Sequence, residues 1–277
     1  MMRALYSAAS GMIAEQQNVD SIANNLANVN TTGYKKERME FQTLLYQTLQ
    51  RADKDPANPT GRPVNLQIGL GVRPVAVSKL YAQGNLQTTG NATDVAIAGN
   101  GFFAIQRGGT DGDIVYTKDG TFKVAPNDNG DLELLTSDGY HVLDTSNAPI
   151  VFPANTDMNS MTIAEDGMIS YYDSSGNIVS DGTQINIVQF PNVEGLQSIG
   201  QNLLTVTPAS GQPIQESSGD IPAANRSQLK QGVLEMSNVQ VAEEMVNLIV
   251  AQRAYDLNSK AIQTSDEMLQ TANTLKR

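Results

Sequence analysis

The sequence predicts an α+β fold in which N- and C-terminal helices form a coiled-coil-like pair around a mostly antiparallel, all-β middle region. Apolar residues recur at every seventh position near both ends of the chain, which is the period of helices that pack along their whole length. Short alternating runs separated by turn-forming pairs fill the middle. We therefore expect an N-terminal helix in 1–34, an extended linker in 35–74, an all-β domain in 75–229 and a C-terminal helix in 230–277.

The first segment predicts a helix that ends near Asn30. The helix is followed by Thr31, Thr32 and Gly33. A glycine at this place can adopt the left-handed backbone conformation in which many helices end. Smaller residues three and four positions from each large apolar residue complete a stripe on one face. The large residues of this N-terminal seam are Leu5, Met12, Val19 and Leu26.

An asparagine-rich stretch crosses the end of this helix. Four asparagines fall within residues 24–30, among them Asn24, Asn25 and Asn28, and such a composition has poor helix propensity. The asparagines form either a solvated face or a set of side chains that hydrogen-bond to the backbones of adjacent subunits. The basic residues Lys35, Lys36 and Arg38 follow, and we expect them on a solvated face, with an inter-subunit salt bridge to Glu243 or Glu244 as the alternative.

The last segment predicts a long helix, because no glycine or proline follows Gly232. Ser237 and Gln240 fit a capping box at its start, while Glu243 and Glu244 lie where the helix dipole favours negative charge. An ordinary amphipathic helix on a globular core is the alternative to a helix–helix seam. Since both ends share one period, we expect them to pack on each other, within one subunit, between subunits, or both. The C-terminal seam consists of Val241, Leu248, Tyr255, Asn258, Ile262 and Leu269.

The remaining chain predicts strands and turns. Residues 35–50 are expected to be moderately helical, the proline-rich stretch Arg51–Pro63 a loop, and Leu66–Pro74 a strand with glycine kinks. The adjacent aromatics Phe102-Phe103 and Tyr171-Tyr172 are expected to alternate between core and surface. We expect strands at 102–105, 121–124, 141–143, 185–190 and 203–206, and hairpin turns at Asp119-Gly120, Asp138-Gly139, Asp166-Gly167 and Ser175-Gly176.

Composition excludes several classes of function. A net charge of −11 argues against a nucleic-acid partner, and no apolar run is long enough to span a membrane. Cysteine is absent, which excludes disulfides and thiol chemistry, and His141 is the single histidine. The first residues lack the apolar core of a secretory signal peptide, so we expect no cleaved leader.

Three chemical motifs are weak. The glycines of 99–104 match a dinucleotide fingerprint, but a strand rather than a helix is expected to follow them. Residues 127–131 offer oxygen ligands without the spacing of an EF-hand loop. Carboxylates such as Glu165 and Asp166 lie at turns, where turn chemistry explains them without a glycosidase site. We expect no catalytic residue, no cofactor and no metal, and we retain a wall-acting hydrolase as the alternative from a different class.

The two ends resemble a known family. Residues 24–35 are similar to the N-terminal signature of the bacterial flagellar rod and hook proteins, and 234–239 with 252–260 are similar to their C-terminal signature. Segments between residues 84 and 120 also resemble this family. The proline-rich stretch followed by a glycine-rich segment distinguishes the chain from proximal rod and hook siblings, which remain the alternative.

The resemblance implies a structural role. It implies helical polymerisation into a hollow shaft that transmits torque from the motor to the hook, located in the flagellar basal body and exported without a cleaved signal peptide. The implied partners are copies of the chain itself, proximal rod proteins, the hook protein and basal-body ring proteins. The implied assembly residues are those of both seams together with Asn24, Asn25, Asn28 and Gly33.

Overall fold

The chain divides into two compact units. The terminal unit comprises Met1–Ala27, Glu37–Lys79 and Gln240–Arg277, and the middle unit comprises Asn28–Lys36 and Leu80–Val239. The computed structural model describes residues 2–52, 64–108, 112–127, 130–154, 156–172, 178–180, 182–219 and 221–275, with the side chains of 2, 157–159 and 223 left aside. Most of the predicted loop Arg51–Pro63, the Ser175-Gly176 pair and the centre of the 127–131 turn lie outside the described residues. The bounds of the four predicted segments stay predictions.

In its described residues, the terminal unit combines two helices with four strands. Helices α1 (Met2–Ala27) and α2 (Val241–Thr274) pack on each other. Strands β1 (Glu37–Thr43) and β4 (Val72–Lys79) pair antiparallel, as do β2 (Tyr46–Gln50) and β3 (Leu66–Gly69). The backbone N–H of Leu44 donates to the carbonyl of Gly71 at 2.9 Å and joins the two pairs into one two-stranded ribbon.

Two expectations for this unit are wrong. Residues 37–43 and 46–50 form strands, so the expectation of moderate helicity in this stretch is wrong. Pairing with β4 and β3 satisfies the backbone groups of these strands and outweighs local propensity. The predicted capping box is absent: α2 begins at Val241 with Gln240 as its N-cap, and the Ser237 hydroxyl accepts instead from the N–H of Val239 at 3.3 Å. The acidic pair Glu243 and Glu244 does lie in the first turn.

The middle unit is built from strands. Its largest sheet has the order β12-β10-β11-β7-β8-β18-β17, with β16 beside β7, β19 beside β16 and β9 beside β10. Every strand pair in the described residues is antiparallel, so helices at both ends with an antiparallel β middle are confirmed. The strands are β5 Leu86–Thr88, β6 Val95–Ala98, β7 Phe102–Arg107, β8 Asp113–Thr117, β9 Phe122–Pro126, β10 Leu132–Thr136, β11 His141–Val142, β12 Val151–Phe152, β13 Asp157–Ile163, β14 Ile169–Tyr172, β15 Ile178–Val179, β16 Ile187–Gln189, β17 Gln197–Gly200, β18 Leu203–Thr205, β19 Ile214–Gln215, β20 Gln228–Gln231 and β21 Val233–Glu235.

Strand β7 is buried on both faces. Phe103 and Ile105 contribute to the larger apolar cluster, and Phe102 contributes to a second cluster on the other side of the sheet. The expected alternation between core and surface is therefore wrong for Phe102-Phe103 and confirmed for Tyr171-Tyr172, of which the first is buried and the second exposed. A strand covered on both faces carries apolar residues on both of them, and this explains the continuous apolar run of residues 102–105.

The alternating runs predicted five strands, and the turn-forming pairs predicted two of the connections between strands. All five strands expected from alternating runs are present, as β7, β9, β11, β16 and β18. Asp138-Gly139 joins β10 to β11 and Asp166-Gly167 joins β13 to β14, both as antiparallel neighbours. Asp119-Gly120 is not a hairpin turn, because β8 pairs with β7 and β18 while β9 pairs with β10. This turn instead connects β8 to β9, which do not pair with each other.

Candidate functional site

The helix pair buries one face of each helix in the terminal unit. Ala8 and Ile22 of α1 and Ala251 of α2 are buried. A Cβ at Gly11 would lie 2.8 Å from Nδ2 of Asn258, so the two helices approach each other closely where a glycine meets the polar member of the C-terminal seam. Small residues at the contact allow this approach.

The predicted seam residues lie at the margins of this contact. Val241 and Tyr255 are 44% and 41% exposed, whereas the other seam residues are half-buried. A packed seam that leaves large apolar residues half-exposed has apolar surface available for further contacts. The half-buried members are Leu5, Met12, Val19 and Leu26 of α1 and Leu248, Asn258, Ile262 and Leu269 of α2.

Asn25 is the centre of the asparagine-rich motif. It is 1% exposed, its Oδ1 accepts from the backbone N–H of Glu37 at 2.8 Å, and its Nδ2 donates to the Glu37 carbonyl at 2.7 Å. The same Nδ2 lies 3.1 Å from Oε2 of Glu244, which is also buried. The side chain of Asn25 therefore hydrogen-bonds to both backbone groups of Glu37, as the backbone of a paired strand would. Together with the bond to Glu244, this connects α1, β1 and α2 within one chain. The solvated face considered for the asparagines is therefore wrong for Asn25, and hydrogen bonds from the motif to adjacent subunits stay a prediction.

The neighbouring motif residues have different roles. Asn24 is exposed and donates to Oε2 of Glu37 at 3.2 Å, while Oδ1 of Asn28 accepts from the hydroxyl of Thr31 at 3.1 Å. Gly33 has φ +67°, and a Cβ there would lie 2.8 Å from the backbone nitrogen of Asp119. Only glycine fits this position without strain or displacement.

The ribbon of β1, β2, β3 and β4 exposes apolar side chains over much of its length. Strand β2 is exposed at every residue, and Leu45 just before it is 84% exposed. A two-stranded ribbon cannot bury both faces by itself, so these side chains are available to a partner. The exposed apolar residues of the described ribbon and its joint are Phe41, Leu45, Tyr46, Leu49, Leu66, Ile68, Val75 and Val77.

A buried ion cluster joins the two signature segments in the middle unit. Nζ of Lys35 lies 2.6 Å from Oε1 of Glu235, and the two side chains are 4% and 1% exposed. Oε1 also accepts from the N–H of Gly84 at 2.8 Å, and Lys35 donates to the carbonyl of Ala82 at 3.0 Å. The expectation that Lys35 lies on a solvated face is wrong: its side chain is buried, where its charge is paired with Glu235 and its ammonium group donates two hydrogen bonds.

Lys118 is the third member of this ion cluster. It is 5% exposed, its Nζ donates to the carbonyl of Gly99 at 2.8 Å, and it lies 5.4 Å from the centre of the Phe102 ring. The pKa of Lys118 is lowered from 10.5 to about 8, mainly by burial and also by repulsion from Lys35, while attraction to Glu235 acts in the opposite direction. Two ammonium groups thus share one carboxylate in a poorly solvated region.

Removing the charge of Lys118 should stabilise the middle unit near neutral pH. A lowered pKa in the folded protein means that the folded state binds this proton less tightly than the unfolded chain, so the charge costs stability below pH 8. That cost disappears as the pH rises from about 8 to 10.5. We expect Lys118→Met to raise the free energy of unfolding by roughly 2–3 kcal/mol at pH 7 and by much less near pH 10.

Urea unfolding at a series of pH values tests this expectation, and the exposed Lys123→Met in β9 is the matched control that should change little. A stabilisation by Lys118→Met that is equal at pH 7 and pH 10 would contradict it.

Sequence reasoning missed the ion cluster and the apolar ribbon. One signal for the cluster was available, since Glu235 follows Val233 and Leu234 in a strand and a charge among apolar residues needs a buried partner. The identity of that partner, two hundred positions away, is set by the fold.

The described residues provide little support for chemistry. The glycines of 99–101 are followed by β7 rather than by a helix, and a Cβ at Gly101 would clash with Ile187. Within the described part of the chain, no group of three His, Asp or Glu side chains is arranged to hold a metal ion. Neither helix, over its described residues, is long and apolar enough to cross a membrane.

A cavity of about 270 Å³ in the middle unit contains the carboxylates considered for glycosidase chemistry. Glu165, Asp166, Glu216 and Arg226 are among its lining residues. Both oxygens of Glu216 are engaged, by Nε2 of Gln189 and by the N–H of Ser227, and Oδ1 of Asp166 accepts from the N–H of Met168. Structural hydrogen bonds account for the positions of Glu216 and Asp166.

Three family models match successive parts of the chain and define its class. The model described as "Flagella basal body rod protein" matches residues 5–35, which contain α1 and the asparagine-rich motif. "Flagellar hook protein FlgE/F/G D1 domain" matches 96–171 in the middle unit. "Flagellar basal body rod FlgEFG protein C-terminal" matches 230–275, which includes α2.

Similar proteins extend this match to the full length. "Flagellar basal-body rod protein FlgG" of Borreliella burgdorferi is 50% identical over 100% of both chains. Proteins with the same name from Buchnera aphidicola and Agrobacterium fabrum are each 44% identical, over 99% and 96% of this chain and 100% and 97% of theirs. The chain belongs to the family of flagellar basal-body rod proteins.

Proposed function

We propose that the chain is a structural subunit of the flagellar distal rod, which polymerises helically into a hollow shaft and transmits torque from the motor to the hook. The observation that carries this proposal is the full-length similarity to relatives named flagellar basal-body rod protein FlgG, at up to 50% identity. Its mechanism is packing between subunits, with no reaction catalysed. The relatives provide no support for a wall-acting hydrolase.

The terminal unit supports a role in assembly. It carries half-buried seams on both helices and an apolar ribbon without a covering layer among the described residues. Contacts with copies of the chain would bury both surfaces at once. We propose that α1 and α2 form a coiled-coil-like pair that lines the channel, and that the predicted residues of both seams, with Asn24, Asn25, Asn28 and Gly33, hold the assembly geometry.

The proposed neighbours follow from the same role. They are further copies of the chain, proximal rod proteins, the hook protein and basal-body ring proteins. We propose that the chain lies in the basal body and is exported without a cleaved signal peptide. A proximal rod or hook sibling is the second candidate, because one of the matching family models is named for the hook protein as well.

Electron microscopy of the purified protein at high concentration tests the proposal and separates the two candidates. A distal rod subunit should form long, straight, hollow tubes. Curved tubes would indicate a hook-like protein, and short rings or stubs would indicate a proximal rod protein.

A further inference from the structure

An asparagine–glycine pair lies on the surface of the middle unit, in the turn between β6 and β7. Asn100 is exposed, and a glycine stands on each side of it. Gly99 has φ +144°, and a Cβ on it would lie 2.6 Å from Oγ of Ser227. A Cβ on Gly101 would clash with the side chain of Ile187. Packing therefore requires glycine at both positions, so Asn100 is necessarily followed by a glycine.

An asparagine that precedes a glycine is chemically labile, because no side chain hinders attack by the backbone nitrogen of the glycine. The nitrogen of Gly101 gives its proton to water, forms a bond to Cγ of Asn100 and expels the side-chain amide group as ammonia. Water then adds to one carbonyl carbon of the resulting succinimide, the ring C–N bond breaks, and the nitrogen regains a proton. The product is aspartate or isoaspartate. The net reaction is hydrolysis of one amide, with no oxidant or reductant.

Two buried side chains hold the turn on either side of Asn100. Oγ of Ser227 accepts from the backbone N–H of Gly101 at 2.8 Å, and Nζ of Lys118 donates to the carbonyl of Gly99 at 2.8 Å. Both side chains belong to residues that are 5% exposed. The reaction requires the Gly101 nitrogen to lose its proton and to rotate towards the Asn100 side chain. It must therefore break the first hydrogen bond and distort the second.

Ser227 is itself fixed by a buried carboxylate. Its backbone N–H donates to Oε2 of Glu216 at 2.8 Å, and Oε1 of Glu216 accepts from Nε2 of Gln189 at 2.7 Å. Glu216 is 6% exposed. Opening the turn would disturb this buried network, and buried polar groups are costly to leave without partners. The turn that carries Asn100 is thus better restrained than an ordinary exposed loop.

We infer that Asn100 is a deamidation site and that Ser227 and Lys118 together slow its conversion in the folded chain. The inference goes beyond the proposed function and does not depend on polymerisation, because every group involved belongs to the middle unit of one chain. Isoaspartate lengthens the main chain, so the hydrogen bonds at Gly99 and Gly101 can no longer both form. Each chain converted to isoaspartate therefore loses stability in the middle unit.

Peptide mapping by mass spectrometry measures the rate of conversion at Asn100 in the purified full chain, at one fixed pH near neutral. Ser227→Ala should accelerate conversion about tenfold, because it removes the acceptor of the Gly101 N–H. If each of the two bonds contributes such a factor, the folded wild type should convert at least about a hundredfold more slowly than the same chain in urea. Equal rates for the folded chain and the chain in urea would overturn the inference.

Lys118→Met separates local protection from global stability. It removes the donor to the Gly99 carbonyl and should accelerate conversion of Asn100 about tenfold. The same substitution is expected to stabilise the middle unit, so global unfolding would predict the opposite effect on the rate. Lys123→Met, at an exposed position of β9, is the matched control and should leave the rate unchanged.

Leu134→Ala provides the converse control. It destabilises the same unit by removing part of a fully buried side chain in the larger apolar cluster, and it touches neither hydrogen bond of the turn. The rate at Asn100 should therefore stay close to that of the wild type. If Leu134→Ala accelerates conversion as strongly as Ser227→Ala, or if neither Ser227→Ala nor Lys118→Met accelerates it, the inference is wrong. A chain that never polymerises would leave these rates unaffected, although it would overturn the proposed function.

Discussion

Glu235→Ala should lower the free energy of unfolding of the middle unit by about 3–5 kcal/mol. The carboxylate that it removes lies 2.6 Å from Nζ of Lys35 and accepts from the N–H of Gly84. Without it, the ammonium groups of Lys35 and Lys118 would remain buried with no counter-charge in the ion cluster. Urea unfolding followed by circular dichroism measures the loss.

Two control variants separate pairing from packing. Replacing the whole cluster, as Lys35→Met, Lys118→Met and Glu235→Met together, should recover much of the stability, because apolar side chains of similar volume need no solvation. Glu40→Ala breaks an exposed pair with Arg38, whose atoms lie 3.6 Å apart, and should cost less than about 1 kcal/mol. If Glu235→Ala is no more destabilising than Glu40→Ala, the ion cluster contributes nothing to the fold.

Asn25→Ala should destabilise the terminal unit by about 3–5 kcal/mol. The substitution removes both hydrogen bonds to the backbone of Glu37 and the donor that lies 3.1 Å from the buried Glu244. A buried backbone pair and a buried carboxylate would each lose a partner, which costs more than the hydrogen bonds contribute on average. Hydrogen exchange of α1 and β1, together with thermal melting, measures the effect.

Asn24→Ala provides the matched comparison for this motif. Asn24 is exposed and its hydrogen bond to Oε2 of Glu37 is also exposed, so the loss of this bond should change stability by less than about 1 kcal/mol. Asn25→Asp should resemble Asn25→Ala rather than the wild type, because a second carboxylate would face Glu244. Equal effects of Asn24→Ala and Asn25→Ala would contradict a special structural role for Asn25.

The helices and most turns could be predicted because their signals are local. A seven-residue apolar period marks α1 and α2 without reference to any partner, and Asp-Gly pairs mark turns wherever they occur. The ribbon was missed because 35–50 has helix-compatible residues, and its strand state depends on pairing with residues up to 42 positions away. Strand propensity is set largely by such neighbours, which a single sequence does not show.

The sequence identified several residues of the candidate site, but it did not show which contacts these residues make. The large seam residues Leu248 and Ile262 lie half-buried on α2, while the small residues Ala251 and Ser265, which belong to the same seven-residue pattern, are buried. Asn25 was named from the asparagine-rich motif, while its bonds to Glu37 and Glu244 arise only when three elements meet. Lys35 was misjudged for the same reason, because its partner Glu235 is brought close by the fold alone.

The concentration dependence of sedimentation tests the central claim, that the chain is a self-assembling rod subunit. We expect the wild type to remain monomeric below a sharp critical concentration and, above it, to pellet as polymer while the monomer concentration stays constant. This behaviour is typical of a polymer built from repeated heterologous contacts. A chain that stays monomeric at every concentration, or that stops at a dimer, would contradict the account.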